Sequence, residues 1–286
     1  MANETTTTTL DDLVQAALAE AFMVLSQGSD LSSVLKRRPL ERGKGSVKFP
    51  KYGAVTAAAL TEATDMSNTA VSTSSVEITP VEHGGMTTVT DQANWKSNPL
   101  QVGTEIGRLF ADALLDLRNQ DIWALFDGFS QAAGTTNTDV TEANLQDALR
   151  QLISAKAPRP YYLAITPHVF EDLLALYSTN TNFTALAVRE AVVTQGVIPP
   201  IFGLQPLLVD NLAAGASAGK ADGADAKCGV FSGEALGYVF KPGSEIMIET
   251  QRDASMRGYE LVATSVYAVG EIEDTWGVEL LVDNKD

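Results

Sequence analysis

The spacing of apolar residues changes several times along the chain. Residues 10–26, "LDDLVQAALAEAFMVLS", place Leu10, Leu13, Val14, Ala17, Leu18, Ala21, Phe22 and Leu25 at helical intervals. Thr9 suits the cap of that helix, and Asp11 and Asp12 favour its positive end. The threonine-rich lead before it is expected to be disordered. From Ser46 to about Asp91 the helical period vanishes. Val47, Phe49 and Val55 mark one strand, and Val71 to Ile78 another. The large apolar residues between 52 and 76 are few: Tyr52, Val55, Leu60, Met66, Val71 and Val76. A lone two-stranded ribbon is marginal in water, and open strand edges invite another chain. This segment is therefore disordered, folded onto its own body, or folded onto a neighbour.

Further on, Asn98-Pro99 opens a helix that runs to about Phe129, with Ile106, Leu109, Phe110, Ala113, Leu114 and Leu117 as its apolar stripe. Ile122, Leu125, Phe126 and Phe129 resume the stripe after a polar step. Such a length suits a strut. "SQAAGTTNTD" reads as a linker. A helix follows Thr141 to about Lys156, with Leu145, Leu149, Leu152 and Ile153 inward. "PYYLAI" reads as a buried strand, and Thr166-Pro167 starts another helix, "HVFEDLLALYS". The remainder alternates strands with turns, including a small-residue loop, "AAGASAGKADGADAK", and ends in "SEIMIETQRD", "GYELVATSVYAVGEI" and "WGVELLVD". Alternating elements in the middle and strands at the end predict an α+β fold.

Charge sharpens this picture. Over residues 36–51, Lys36, Arg37, Arg38, Arg42, Lys44, Lys48 and Lys51 face one acid, Glu41. The segment carries +6, which leaves −22 on the other 270 residues of a chain whose total is −16. An acidic body with one basic strap suggests self-complementarity, the strap of one copy lying on the next. A solvated basic loop is the plainer alternative. The acidic body argues against a nucleic-acid-binding surface.

Candidate chemistry is sparse. His83, expected at a turn before Gly84-Gly85, and His168, in the first turn of a helix, have no metal-binding partner at suitable spacing. No G-x-S-x-G elbow occurs. "GASAGKA" lacks the glycine spacing of a phosphate loop, and Asp222 and Asp225 lack the ligand series of a calcium loop. Trp95, Trp123 and Trp276 read as packing anchors. The single cysteine, Cys228, excludes an intrachain disulfide, reads as an inert small hydrophobe, and fits assembly in a reducing cytoplasm. No apolar run reaches the ~18–20 residues of a membrane span, and the N-terminus does not read as a secretory signal. No catalytic residue, cofactor or metal site is expected.

The ordered set "VKFPKYG", "LTEATD", "ITPVEHGG…VTDQA", "VGTEIGRLFADAL", "DIWALFDGFS", "VIPPIFGLQPLLVDN" and "VELLVD" resembles the major capsid proteins of tailed double-stranded DNA bacteriophages, the Hong Kong 97-type shell fold. The resemblance implies an N-terminal arm over 1–45 and an extended β-hairpin loop over 46–92. It implies a peripheral domain with the spine helix over 93–141, an axial domain over about 142–240, and a return to the peripheral domain over 241–286. It further implies self-assembly into hexamers and pentamers of an icosahedral shell, in the virion and assembled in the host cytoplasm. The shell would enclose DNA without sequence-specific binding, alongside a portal and a separate scaffold or decoration protein. The extended loop would lie across the adjacent subunit. Lys36, Arg37, Arg38, Arg42, Lys44, Lys48, Lys51, Leu60 and Met66 are the candidate inter-subunit contacts. The spine is expected to begin near residue 99, which leaves no room for the long scaffolding extension of some members and points to a separate scaffold, prior cleavage or no scaffold. An encapsulin-like compartment is the nearest rival reading; an enzyme with an unrecognised carboxylate site is a rival of another class.

Some members of that family cross-link a loop lysine to a neighbour's asparagine. No lysine occurs from Tyr52 through Trp95, so a noncovalent shell is expected. Reduced and boiled particles should run as one band at the monomer mass; a ladder of multimers would refute this.

Overall fold

Two five-stranded sheets flank one long helix in the computed structural model, which describes residues 30–53, 70–92, 99–135, 138–179, 200–209 and 225–283, with 55, 57 and 59 besides. The helix expected over 10–26, the contact candidates Leu60 and Met66, Trp95 and most of the small-residue loop lie outside the described residues.

The first sheet contains β1 (Lys36–Pro39), β4 (Val81–Thr90), β9 (Leu236–Phe240), β10 (Met247–Asp253) and β11 (Gly258–Glu271). β11 is its axis. It pairs antiparallel with β4 on one side, and with β10 and then β9 on the other; β1 lies parallel to β9. The second sheet runs β5 (Ala132–Gly134), β12 (Gly277–Asp283), β8 (Asp225–Ser232), β6 (Tyr161–Ile165), β7 (Leu204–Leu208). A separate ribbon pairs β2 (Val47–Tyr52) with β3 (Thr73–Ile78). The class is α+β, as the element order predicts.

Helix α1 (Pro99–Ala124) continues as a 3-10 turn, Leu125–Gly128. Its 26 residues at ~1.5 Å each make a strut of roughly 40 Å. The buried side differs from the expected stripe. Ala111, Leu114, Leu115, Arg118, Asn119, Ile122 and Trp123 are buried, whereas Leu109 is 65% exposed and Ala113 is also exposed. The first sheet packs along only one side of the rod, where Ala111, Leu114 and half-buried Phe110 meet Ile246, Ile248 and Ala263. Leu109 and Ala113 are left on the other side. The C-terminal end enters the main core through Trp123, Phe126 and Phe129.

Helix α2 (Glu142–Ser154) is capped by Thr141, whose hydroxyl accepts from the Asn144 N–H at 3.3 Å. Leu145 and Leu152 are buried as expected and half-buried Leu149 packs against the same core, but Ile153 is 51% exposed, on the side of the helix away from the Leu145–Ala148–Leu152 line. Helix α3 (Pro167–Thr179) begins after Thr166, whose Oγ1 accepts from the Val169 N–H at 3.5 Å. The segment expected as a linker contains β5, three residues paired parallel to β12. His83 lies within β4 rather than at a turn, stacked on Tyr267 at 4.4 Å between ring centres. The two glycines after it serve a different purpose. A Cβ on Gly84 would come within 2.7 Å of the Ala263 carbonyl oxygen, so that residue lets β4 lie close against β11, whereas one on Gly85 would make an ordinary 3.4 Å contact with the Phe110 ring. Cys228 is fully buried in β8, and burial pushes its thiol up to about 12.

Aromatic packing against bare backbone joins the strut to the second sheet. A Cβ on Gly229 would come within 2.7 Å of the Phe126 ring, and one on Gly277 within 2.2 Å of Phe129. Gly229→Ala should therefore destabilise the fold by about 1–3 kcal/mol through overpacking, read as a lower urea midpoint.

Candidate assembly surface

The basic strap is built into its own subunit before it offers anything to another. In β1, Lys36 reaches Glu234 at 2.5 Å, and the Arg37 guanidinium reaches Glu245 at 3.1 Å. Arg37 also covers the rings of Tyr238 and Phe240, at 5.3 and 5.1 Å. Arg38 lies 5.0 Å over the Phe49 ring and donates to the Lys48 carbonyl at 3.3 Å. Lys51 meets Glu273 at 3.2 Å. Exposed ion pairs contribute only ~0–1 kcal/mol each, so these contacts orient the strand more than they stabilise it.

Apolar burial does the anchoring. Phe49 and Ile78, at the foot of the ribbon, pack with Val239 and Ile272 of the body and are 1% and 5% exposed. Lys48 stands opposite Glu77 across the ribbon, 3.6 Å away. The Ser46 hydroxyl donates to Glu77, and that bond, then the Lys48 charge, holds the Glu77 carboxyl below its usual range. The Gly53 N–H donates to the Ser72 carbonyl at 2.8 Å, one step past the last paired residues. Around that point the large apolar side chains described are bare: Tyr52 is 72% exposed, Val55 61% and Val71 50%. The ribbon is thus rooted in its own subunit, and the large apolar residues described at its outer end are exposed. A cleft of about 400 Å³ at the root is lined by Lys36, Arg38, Lys51, Tyr52 and Trp276, among others.

The chain enters the fold through a second, polar anchor. The Asn119 side chain accepts from the Leu31 N–H at 3.2 Å, and Arg118 Nε lies 3.5 Å from Asp30. Arg118 Nη1 donates to the Tyr238 hydroxyl at 3.2 Å, and the Tyr267 hydroxyl donates to Asp121 at 2.8 Å. Burial opposes the Arg118 charge, but Asp30, Tyr238 and Tyr267 outweigh it and its pKa lies above the ordinary value. Burial and then the bond to Asp121 push the Tyr267 phenol up. Only the spatial meeting of four separated segments reveals this anchor; Arg118 carries no local signal beyond being a cation on the apolar side of a helix.

Among the described residues no group of three or more His, Cys, Asp or Glu side chains could hold a metal ion, and no helix is long and apolar enough to cross a membrane. A rooted ribbon with Tyr52, Val55 and Val71 exposed, a strut helix and two sheets together fit a shell-forming subunit. The chain belongs to the phage capsid protein family, whose profile matches residues 72–279. Comparison with curated proteins gave no match. Among solved structures, the chain is similar to one from Mycobacterium phage Adephagia, at 13% identity and a TM-score of 0.64, covering 89% of this chain and 90% of that one. It is similar to the capsid of cyanophage P-SCSP1u at 17% identity and a TM-score of 0.63, covering 88% and 87%. It is also similar to a virus-like particle from Pyrococcus furiosus at 12% identity and a TM-score of 0.57, covering 93% and 98%. The fold is the Hong Kong 97 type, and the protein is a structural protein of the capsid.

Phe49→Ala should lower stability by about 3–5 kcal/mol and hasten proteolysis between residues 53 and 72. Denaturant titration and mapping of the first cleavage would read both, and an unchanged cleavage rate would contradict the anchoring role.

Proposed function

We propose that the protein is the major capsid protein that closes, as hexamers and pentamers, into an icosahedral shell around double-stranded DNA. The observation that carries this reading is the ribbon. Its root is buried in its own subunit, while Tyr52, Val55 and Val71 stand exposed beyond it. Apolar burial at ~25 cal/mol per Å² favours covering them with another copy. Many such modest contacts around each subunit add up through avidity.

In this reading residues 1–45 are the arm and 46–92 the extended loop. β4, in the latter range, already belongs to the first sheet, so the projecting part is β2, β3 and the residues between them. Residues 93–141 and 241–286 form most of the peripheral domain and 142–240 most of the axial domain, although β12 pairs with β8 in the second sheet. The strap cations and Leu60 and Met66 contribute to contacts between copies. The subunit carries no catalytic site or cofactor, assembles in the host cytoplasm with a portal and a separate scaffold or decoration protein, and holds DNA by enclosure. An encapsulin-like compartment shares the fold, and the phage capsid family match favours the virion.

Electron microscopy of the purified full-length protein should show closed icosahedral particles, and native particles should yield double-stranded DNA. A protein cargo in place of DNA would move the assignment to the compartment, and subunits that never form closed particles would reject a shell altogether.

A further inference from the structure

One face of the first sheet is left largely open by the described residues. Strand register puts Gly85, Ala263 and Ile248 on the side facing α1. The alternate residues form the opposite face. At the β9 end, Phe49, Ile78 and Ile272 cover Val239. Towards β4 and β10, no hydrophobic cluster among the described residues covers the face. There Met86, Val262 and Glu249 stand side by side on three strands, Thr264 lies between Gly84 and Met247, and Val266 lies beside Glu82. Met86 is 62% exposed, and Val262, Val266 and Met247 are half-buried. Glu82 edges one end of this apolar strip, and Glu249 and Glu260 edge the other. Six residues separate Val266 from Glu260, so the two acidic ends lie about 20 Å apart. Ion pairs among the described residues include none of these three carboxylates. Lys241, whose N–H donates to the Val266 carbonyl at 3.1 Å, is the cation at the rim.

The same chain carries a complement. Of the strap's seven cations, Lys36, Arg37 and Lys51 are held by distant acids of their own subunit, and Arg38 lies on Phe49. Arg42, Lys44 and Lys48 remain exposed. Arg42 has no ion pair with a described residue. Lys44 meets only Glu41, three residues away, and Lys48 meets Glu77, all of them well exposed to solvent. Beside this turn opens a cleft of about 760 Å³, lined by Pro39, Val47 and the side chains of Arg38, Lys44 and Lys48, with Glu41 and Glu77.

Building on the shell-forming reading, we propose that the basic turn 41–48 of one subunit seats on the open, acid-edged sheet face of the next. Met86 of the receiving subunit enters the cleft, and Arg42, Lys44 and Lys48 meet Glu82, Glu249 and Glu260. The two surfaces are different, so the contact is head to tail. Each subunit gives a turn to one neighbour and a face to another, the arrangement that closes rings. Apolar contact provides the burial, and charge selects partner and register.

The test uses full-length protein in four forms: wild type; Arg42→Glu with Lys44→Glu and Lys48→Glu; Glu82→Lys with Glu249→Lys and Glu260→Lys; and all six substitutions together. Particle yield is read by sedimentation and microscopy, and folding of the unassembled fraction by circular dichroism. Each triple variant should stay folded and lose about tenfold or more in yield, and the six together should restore most of it. Wild-type yield from either triple, or no recovery in the sextuple, overturns the contact while leaving the shell intact. Should a triple variant misfold, Met86→Asp, at an exposed site, must lower the yield by itself, and wild-type yield from it likewise overturns the contact. Absence of particles from the wild type rejects the shell reading and the contact with it.

Discussion

A two-stranded ribbon cannot hold its own direction in water, and the surface this subunit offers depends on how that limitation is met. The solution is a small apolar plug. Phe49 and Ile78 sink into a socket formed by Val239 and Ile272, and this fixes the root of the β2–β3 pair. The socket belongs to a sheet whose other face is packed on the strut helix. Ribbon direction, sheet and strut are therefore one mechanical unit.

Charge acts around this plug as a clasp. Lys36, Arg37 and Lys51 find Glu234, Glu245 and Glu273 within the subunit, and Arg38 caps the plug by lying on Phe49. Part of the −22 carried outside the strap thus has a use inside the subunit. An exposed pair adds little energy, but several aimed at one short strand fix where it lies. The Asp30–Arg118–Tyr238 chain of contacts does the same where the chain enters the fold, in drier surroundings.

Much of the architecture was legible in the residues. The period-two segments at 47–52 and 73–78 pair as strands, the long apolar repeat after Pro99 is a helix, and Cys228 is buried in a strand. The misreadings share a cause. Helical spacing points Leu109 and Ile153 inward because it shows a stripe without showing which part of it is covered. His83-Gly84-Gly85 resembles a turn because glycines usually mark turns, yet here Gly84 lets β4 approach the Ala263 carbonyl of β11. "SQAAGTTNTD" looked like a linker because three small residues carry no period, and β5 exists only because β12 runs alongside it.

By itself, the sequence determined the local periods, the poverty of apolar side chains in the ribbon, and the concentration of positive charge in one strap. Those are properties of neighbouring residues and need no partner to be read. Tertiary structure alone decided which strap cations are held and which stay exposed, since Lys36 meets Glu234 across 198 positions and Arg37 meets Glu245 across 208. It also decided which face of the first sheet is packed on the strut helix and which carries the plug at its β9 end and is left uncovered by described residues towards β4 and β10. Both depend on strand register and on what lies opposite, and a one-residue slip in register would exchange the two faces.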